Sequence, residues 1–295
     1  MAEAGKPRVG LVGVGLMGHG IARNIAAKGW PLQFLNHPGN QPVQDLLDAG
    51  ATACDDARDL ARASDLVLLC VTGTPQVEAI LTGESGILPA MRAGQILIDC
   101  STAIPASTVR LAAAAGAHGV QFVDAAMTRT PREAAAGRLN LLVGAEPAVF
   151  AQVEPLLRAF AENIFHAGPV GAGHRLKLLH NFVSLGSIVL LSEAAVCAEQ
   201  GGIAPEVLVD TLRKGGGYGA ALDRLAPFLL DGDDSAVRFS LRNAFKDLTY
   251  YDTMAADEDV PRRTARAVRE TLQALVDAGL GPEFLSTTPA QLKKL

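Results

Sequence analysis

Six residues near the start of the chain constrain its fold more than any other feature. Gly13, Val14, Gly15, Leu16, Met17 and Gly18 follow a short β-branched run at 8–12 and lead into a helix expected over 16–28, closed by Gly29. G-x-G-x-x-G between a strand and a helix is the spacing of a dinucleotide-binding turn. Gly13 permits the tight turn, Gly15 lets the backbone approach a pyrophosphate, and Gly18 lets helix and strand pack closely. The phosphates would then rest on the helix N-terminus, where free N–H groups and the dipole favour anions. The same spacing alone is weak evidence; a strand before it and a helix and second strand (32–35) after it carry the reading.

The second strand ends in Asn36-His37-Pro38-Gly39. A carboxylate in this region, about 20 residues past the glycines, would hold a ribose 2′-hydroxyl and select NAD. No acid follows in sequence until Asp45, so nothing here repels a 2′-phosphate, and Asn36 and His37 could hydrogen-bond one. NADP is therefore favoured over NAD, although no arginine stands beside them. The plainer alternative makes His37 a turn residue.

Strands and helices then alternate. Helices are expected at 43–49, at 57–63 and through Ile80, with another beginning near Pro105; strands are expected at 66–71, 95–100, 120–124, 139–143 and 164–166. Alternation of this kind gives a mostly parallel, doubly wound sheet. Thr72 and Gln76 follow the carboxyl end of the 66–71 strand, the edge at which such sheets bind ligands. Thr102, after the 95–100 strand, could line the same edge or cap the next helix. Asp124 to Thr130 reads DAAMTRT and offers Thr128, Arg129 and Thr130 at a strand end. An arginine there can grip an oxyanion with two parallel bonds, or can simply lie on the surface.

Residues 171–199 form a nearly uninterrupted apolar run, GAGHRLKLLHNFVSLGSIVLLSEAAVCAE. Lys177, Asn181 and Ser184 fall at i, i+4 and i+7, on one face of the expected helix. A helix apolar nearly all round is a buried one, here expected to join two domains. Lysine and asparagine on it need partners or a task; a lysine snorkelling from the helix end is the plainer alternative. Beyond it, helices are expected at 206–214, 220–229, 241–256 and 262–278, with Lys246-Asp247 inside the third. The expected domains are thus 1–168 and 169–295, the second all-α.

Composition excludes several classes. With 295 residues, 49% hydrophobic and 19% charged, the chain is globular and long enough for two cores. A net charge of −5 argues against a nucleic-acid surface. Cys54, Cys70, Cys100 and Cys197 are widely spaced, as expected of reduced thiols and not of a disulfide or zinc framework; no metal site is expected. The first ten residues contain no secretory apolar core and no stretch reads as a membrane span, so a soluble, cytoplasmic protein is expected.

Taken together these motifs resemble the β-hydroxyacid dehydrogenase family, which includes 3-hydroxyisobutyrate dehydrogenase and tartronate semialdehyde (2-hydroxy-3-oxopropionate) reductase. GVGLMG stands for the cofactor loop and DCSTAIP (99–105) for the nicotinamide segment. DAAMTRT stands for the substrate loop D-A-P-V-S-G-G, GAGHRLKLLHN for the catalytic G-x-G-x-x-x-K-x-x-N-N, and FKDL (245–248) for K-D-L. The order is the family's and spans almost the whole chain. The resemblance implies catalytic Lys177 with Asn181 beside it, Thr128 in the substrate-binding serine position, and Ser184 on the same helix face. It also implies Val71, Thr72, Gln76 and Thr102 lining the cofactor, Lys246 reaching cofactor or substrate, and a homodimer or homotetramer. Two positions depart from the pattern. Thr-Arg-Thr replaces Ser-Gly-Gly, which is similar to the loop of sulfolactaldehyde reductase, and His180 replaces the first Asn of the pair.

The implied chemistry is hydride transfer between a nicotinamide and a short hydroxy acid or its semialdehyde, with Lys177 exchanging one proton. Free lysine titrates near about 10.4; burial and nearby cations such as Arg129 and Lys246 would lower that value. Two other readings remain: an imine reductase of the same architecture, in which the lysine is generally replaced, and a catalytically silent nucleotide-binding module.

Overall fold

The structure, a computed structural model, describes residues 5–295. The chain divides into two compact units that meet at Lys177/Leu178.

In the first unit, eight strands form one sheet. In chain order its elements are β1 (Val9–Val12), α1 (Leu16–Ala27), β2 (Leu32–Leu35), α2 (Gln44–Asp48), β3 (Thr52–Cys54), α3 (Ala57–Ala63), β4 (Leu66–Leu69), α4 (Thr74–Thr82), β5 (Ile96–Asp99) and α5 (Pro105–Ala117). There follow β6 (Gln121–Thr128), α6 (Pro131–Ala135), β7 (Leu139–Gly144), α7 (Pro147–Leu157) and β8 (Ala161–Gly168). The strand order is β3-β2-β1-β4-β5-β6-β7-β8. Every neighbouring pair is parallel except β6 and β7, which are antiparallel.

Alternate residues of the central strands feed two cores, as a sheet covered on both faces requires. Val9, Leu11, Leu66, Leu68, Ile96 and Ile98 enter one cluster with Ile21 and Ile25 of α1. Val12, Val67, Leu69 and Leu97 enter the other with Leu60, Leu81 and Leu111. The strands therefore read as continuous apolar runs, which is why they were legible.

Several features were not, two of them in the strands. Strand β3 lies in a stretch read as a connection between helices. It is only three residues long, with two of them exposed, so it carries no apolar signal. Strand β6 does not stop at Asp124 but continues to Thr128, where β7 pairs with it.

The second unit is helical. Its elements are the remainder of α8 (Ala172–Gln200), then α9 (Pro205–Lys214), α10 (Ala220–Asp231), α11 (Leu241–Asp257), α12 (Arg263–Leu275) and α13 (Thr288–Leu292). Its core joins Leu185, Ile188 and Val189 of α8 to Leu222 and Leu225, to Leu241 and Leu248, and to Leu272 and Leu275. By length and composition alone α8 is apolar enough to cross a membrane, with 44% of its most apolar window buried. The helix also buries His174, Lys177, Asn181 and Ser192, side chains that are costly in lipid and that find polar partners in a packed protein.

All four cysteines are free. Burial, reinforced by Asp99, pushes the Cys70 thiol up to about 12, and burial likewise raises Cys100. At pH 8 the Cys70 thiol is then almost wholly protonated, and the thiolate is the reactive form. With a disulfide reagent at pH 8, the exposed Cys197 should react first, the half-buried Cys70 much more slowly, and the buried Cys100 only after unfolding. Rapid labelling of Cys70 in the native protein would contradict this picture.

Candidate active site

The nucleotide turn follows from local sterics. Gly13 has φ +100°, and a Cβ there would sit 2.3 Å from the Cys70 carbonyl oxygen. A Cβ on Gly18 would sit 1.9 Å from the Gly13 carbonyl oxygen, whereas one on Gly15 would meet nothing within 4 Å. Two glycines thus close the turn against its neighbours, and the third leaves open space at the start of α1. Gly15 caps that helix with no side chain, so the helix end keeps backbone donors for an anion. These residues fit a dinucleotide pyrophosphate.

The other residues expected to hold a cofactor follow the carboxyl ends of the parallel strands. Asn36 and His37 come after β2, Val71, Thr72 and Gln76 after β4, and Thr102 after β5. The Val71 N–H donates to Ser101 Oγ at 3.0 Å, and the Ser101 N–H to Asp99 Oδ1 at 2.9 Å. The β4 and β5 ends are therefore tied together. Near β2, Asn40 steadies the first turn, accepting from the Val14 N–H at 3.3 Å and donating to the Leu35 carbonyl at 3.0 Å. The expectation that no acid stands beside Asn36 needs correction. Its amide donates to Asp55 Oδ1 at 3.0 Å, because β3 runs alongside β2.

Strand β6 pairs with β5 through Asp99 and Asp124 and then runs on, carrying Thr128 beyond the carboxyl edge. Thr128 is buried and accepts from the Asn140 amide at 3.0 Å. Thr130 is committed to its own helix. It forms a capping box with Glu133 at the start of α6, its hydroxyl donating to Glu133 Oε2 at 2.5 Å. That bond holds the Glu133 carboxyl below its usual range. Arg129 has φ +81°, a left-handed conformation that suits the glycine it replaces better than an arginine. Its guanidinium is bonded to Glu162 and to the Arg138 carbonyl. The cation expected to influence Lys177 thus has a carboxylate of its own.

The start of α8 is fastened from the sheet. Asp124 Oδ1 accepts from the Gly171 N–H and Oδ2 from the His174 N–H, both at 2.7 Å. Burial pushes the Asp124 carboxyl up, while His174 and these donors pull it back. His174 is fully buried. Its Nε2 lies 3.1 Å from the Ser101 carbonyl oxygen, which can only accept, so Nε2 carries a proton. Its Nδ1 lies 2.7 Å from Thr108 Oγ1. One buried imidazole therefore links the segment after β5, helix α5 and the first turn of α8. Sequence reading assigned it no role, since its partners lie 66 and 73 residues away. Gly173 belongs to the same contact: a Cβ there would sit 2.3 Å from the Leu142 carbonyl oxygen.

Lys177, 9% exposed, lies one turn further along α8 and one turn before Asn181, 4% exposed. Within the second unit, the Asn181 amide donates to Asp247 Oδ2 at 2.6 Å. Because a carboxylate only accepts, this contact fixes which end of the amide is nitrogen. Asn181 Oδ1 lies 2.9 Å from His180 Nδ1, which gives His180 a partner that its departure from the family pattern did not suggest. Lys246 Nζ is 3.2 Å from the other Asp247 oxygen. Asp247 is the neighbour of Asn181 that the sequence reading passed over in favour of Lys246. Ser184 is half-buried on α8. Among the described residues no group of three or more His, Cys, Asp or Glu side chains could hold a metal ion.

Comparison with known proteins matches this arrangement over almost the whole chain. Residues 8–168 match the model of the NAD binding domain of 6-phosphogluconate dehydrogenase. Residues 171–286 match the model described as NAD-binding of NADP-dependent 3-hydroxyisobutyrate dehydrogenase. The chain is 29% identical to 2-(hydroxymethyl)glutarate dehydrogenase of Eubacterium barkeri over 280 residues, 95% of this chain and 92% of the relative. It is 34% identical to 2-hydroxy-3-oxopropionate reductase of Escherichia coli K12 over 199 residues, 67% of each chain. Among solved structures, 3-hydroxyisobutyrate dehydrogenase from Salmonella typhimurium superposes with a TM-score of 0.83 at 27% identity, over 97% of this chain and 99% of that one. A glycine turn built to admit a pyrophosphate, a buried lysine and asparagine one turn apart, and these matches together place the chain in the β-hydroxyacid dehydrogenase family of NAD(P)-dependent oxidoreductases.

Proposed function

We propose that the protein interconverts a short 3-hydroxy acid and its semialdehyde, or a similar small anionic carbonyl compound and its alcohol, with Lys177 exchanging the proton at the substrate oxygen. The observation that carries this reading is the pair on α8, buried Lys177 and, one turn on, buried Asn181 with its amide oriented by Asp247. A nicotinamide held here would supply or take the hydride. In the reducing direction Lys177 donates a proton to the oxygen of the carbonyl being reduced; in the oxidising direction it accepts one from the hydroxyl. The second N–H of the Asn181 amide holds the same oxygen, and Thr128 with its neighbouring backbone holds the carboxylate. Gly13 to Gly18 receive the pyrophosphate, and Val71, Thr72, Gln76 and Thr102 line the nicotinamide side. Ser184 and Lys246 complete the helical side. The domain reading that goes with this assigns nucleotide binding to 1–168 and substrate binding and assembly to 169–295. A cytoplasmic homodimer or homotetramer is part of the proposal.

The experiment is oxidation of NADH and NADPH with the semialdehydes of tartronate, methylmalonate and succinate and with sulfolactaldehyde. Turnover of one of them supports the reading, and turnover of none favours a silent nucleotide-binding module. Arg129→Gly should keep turnover within about fivefold. It gives up a partly exposed ion pair worth up to about 1 kcal/mol and relieves a left-handed residue of a similar cost, so stability should also change little. Loss of turnover in this variant would show that the guanidinium leaves Glu162 to bind the substrate anion.

A further inference from the structure

We propose that Asp55 makes the nucleotide site selective for NAD over NADP; this rests on the Gly13–Gly18 turn binding a dinucleotide. Selectivity in such folds is set beyond the end of the second strand, where a carboxylate accepts from the ribose 2′-hydroxyl or a cation donates to the 2′-phosphate. In this chain that strand ends without an acid, and the carboxylate arrives from its neighbour. Leu35 pairs with Cys54 in parallel register, so the next residue of each strand, Asn36 and Asp55, emerges at the same edge. The Asn36 N–H donates to the Cys54 carbonyl at 2.8 Å, and its side-chain amide donates to Asp55 Oδ1 at 3.0 Å. Asn36 thereby steadies an exposed carboxylate that keeps acceptor capacity for a hydroxyl.

The basic groups in the vicinity have other tasks. His37 Nδ1 accepts the Gly39 N–H at 3.0 Å, which leaves Nε2 as the ring's donor. Arg58, three residues past Asp55, spends its guanidinium on the carbonyls of Gly86 and Glu84. Arg23 and His19 are paired with Asp45. Asp56 accepts the Arg58 and Asp59 N–H groups at the start of α3 and adds a second negative charge beside the first. A 2′-phosphate with close to two negative charges would meet repulsion here, whereas a 2′-hydroxyl would gain an acceptor.

Calorimetric titration of the apo full-length protein with NAD⁺ and NADP⁺ tests this without reference to any substrate. NAD⁺ should bind at least tenfold tighter, and raising the salt concentration should narrow the gap as the repulsion is screened. Asp55→Asn keeps an oxygen for Asn36 and removes the charge, and Asp55→Ser shortens the side chain. Both should tighten NADP⁺ at least fivefold while leaving thermal unfolding of the apo protein unchanged, as expected for an exposed position. Equal or tighter binding of NADP⁺ by the natural protein overturns the proposal, as does an NAD⁺/NADP⁺ ratio that neither variant moves. Binding of neither nucleotide overturns the dinucleotide reading itself, and the proposal with it.

Discussion

Lys177→Ala should lower kcat by about 10³-fold, within the range by which a positioned acid–base group accelerates proton transfer, and leave nucleotide affinity within about twofold. The residues proposed to hold the nucleotide lie on the turn after β1 and after the ends of β2, β4 and β5, whereas Lys177 lies on α8, so the two readouts separate. Lys177→Arg is the sharper comparison. It keeps a cation, yet guanidinium does not give up its proton in proteins, so oxidation of the hydroxy acid should fail as severely as in the alanine variant. Near-normal kcat in either variant would remove Lys177 from the proton path. A thermal scan belongs beside the kinetics, because the lysine stem is buried and its loss leaves a cavity.

Asp124→Ala should cost on the order of 3 kcal/mol, the scale of charge-assisted hydrogen bonds lost together with donors left buried and unpaired. Those donors are the Gly171 and His174 N–H groups at the head of α8. Kcat should fall with stability, because this cap sets the position of the turn carrying Lys177. Asp124→Asn should be milder, its oxygen serving one N–H while its amide opposes the other. Acidity gives a second signature. Burial raises the Asp124 carboxyl in the folded protein, so the part of stability linked to its protonation, separate from the hydrogen bonds it accepts, is fully present below the ordinary carboxylate range and is lost as pH rises through the raised value. Asparagine does not titrate, so the pH dependence of urea unfolding should flatten across that window in Asp124→Asn. An unchanged profile would mean that Asp124 does not carry the shift.

Legibility in the sequence followed the physical range of each interaction. The turn after β1 was readable because strand, glycines and helix are contiguous. Lys177 and Asn181 were readable because helical periodicity places i and i+4 together. Strand β3 was not, having no buried face to impose alternation, and with it went the carboxylate beside Asn36. Asp247 could be seen as half of a Lys-Asp pair, but its hold on Asn181 spans 66 residues, and no local pattern encodes that. His174 looked like one polar residue in an apolar helix; its value comes from Ser101 and Thr108, brought to it by the sheet and α5. Arg129 was legible as a departure from a glycine pattern, while Glu162, which takes its charge, lies two strands further on.

The one antiparallel pairing in the sheet bears on how the chain assembles. Each parallel neighbour must wait for a crossover to fold back before its backbone bonds can form. Strands β6 and β7 are separated only by residues 129–138, most of which are the short helix α6 and its cap. Closing so short a loop costs little chain entropy, so this ribbon forms from local encounters, the kind that speed folding. It contains Asp124, the residue that later receives the head of α8. The anchor for the lysine helix thus sits in the strand pair of this sheet that is joined by the shortest connection, ahead of the helix along the chain.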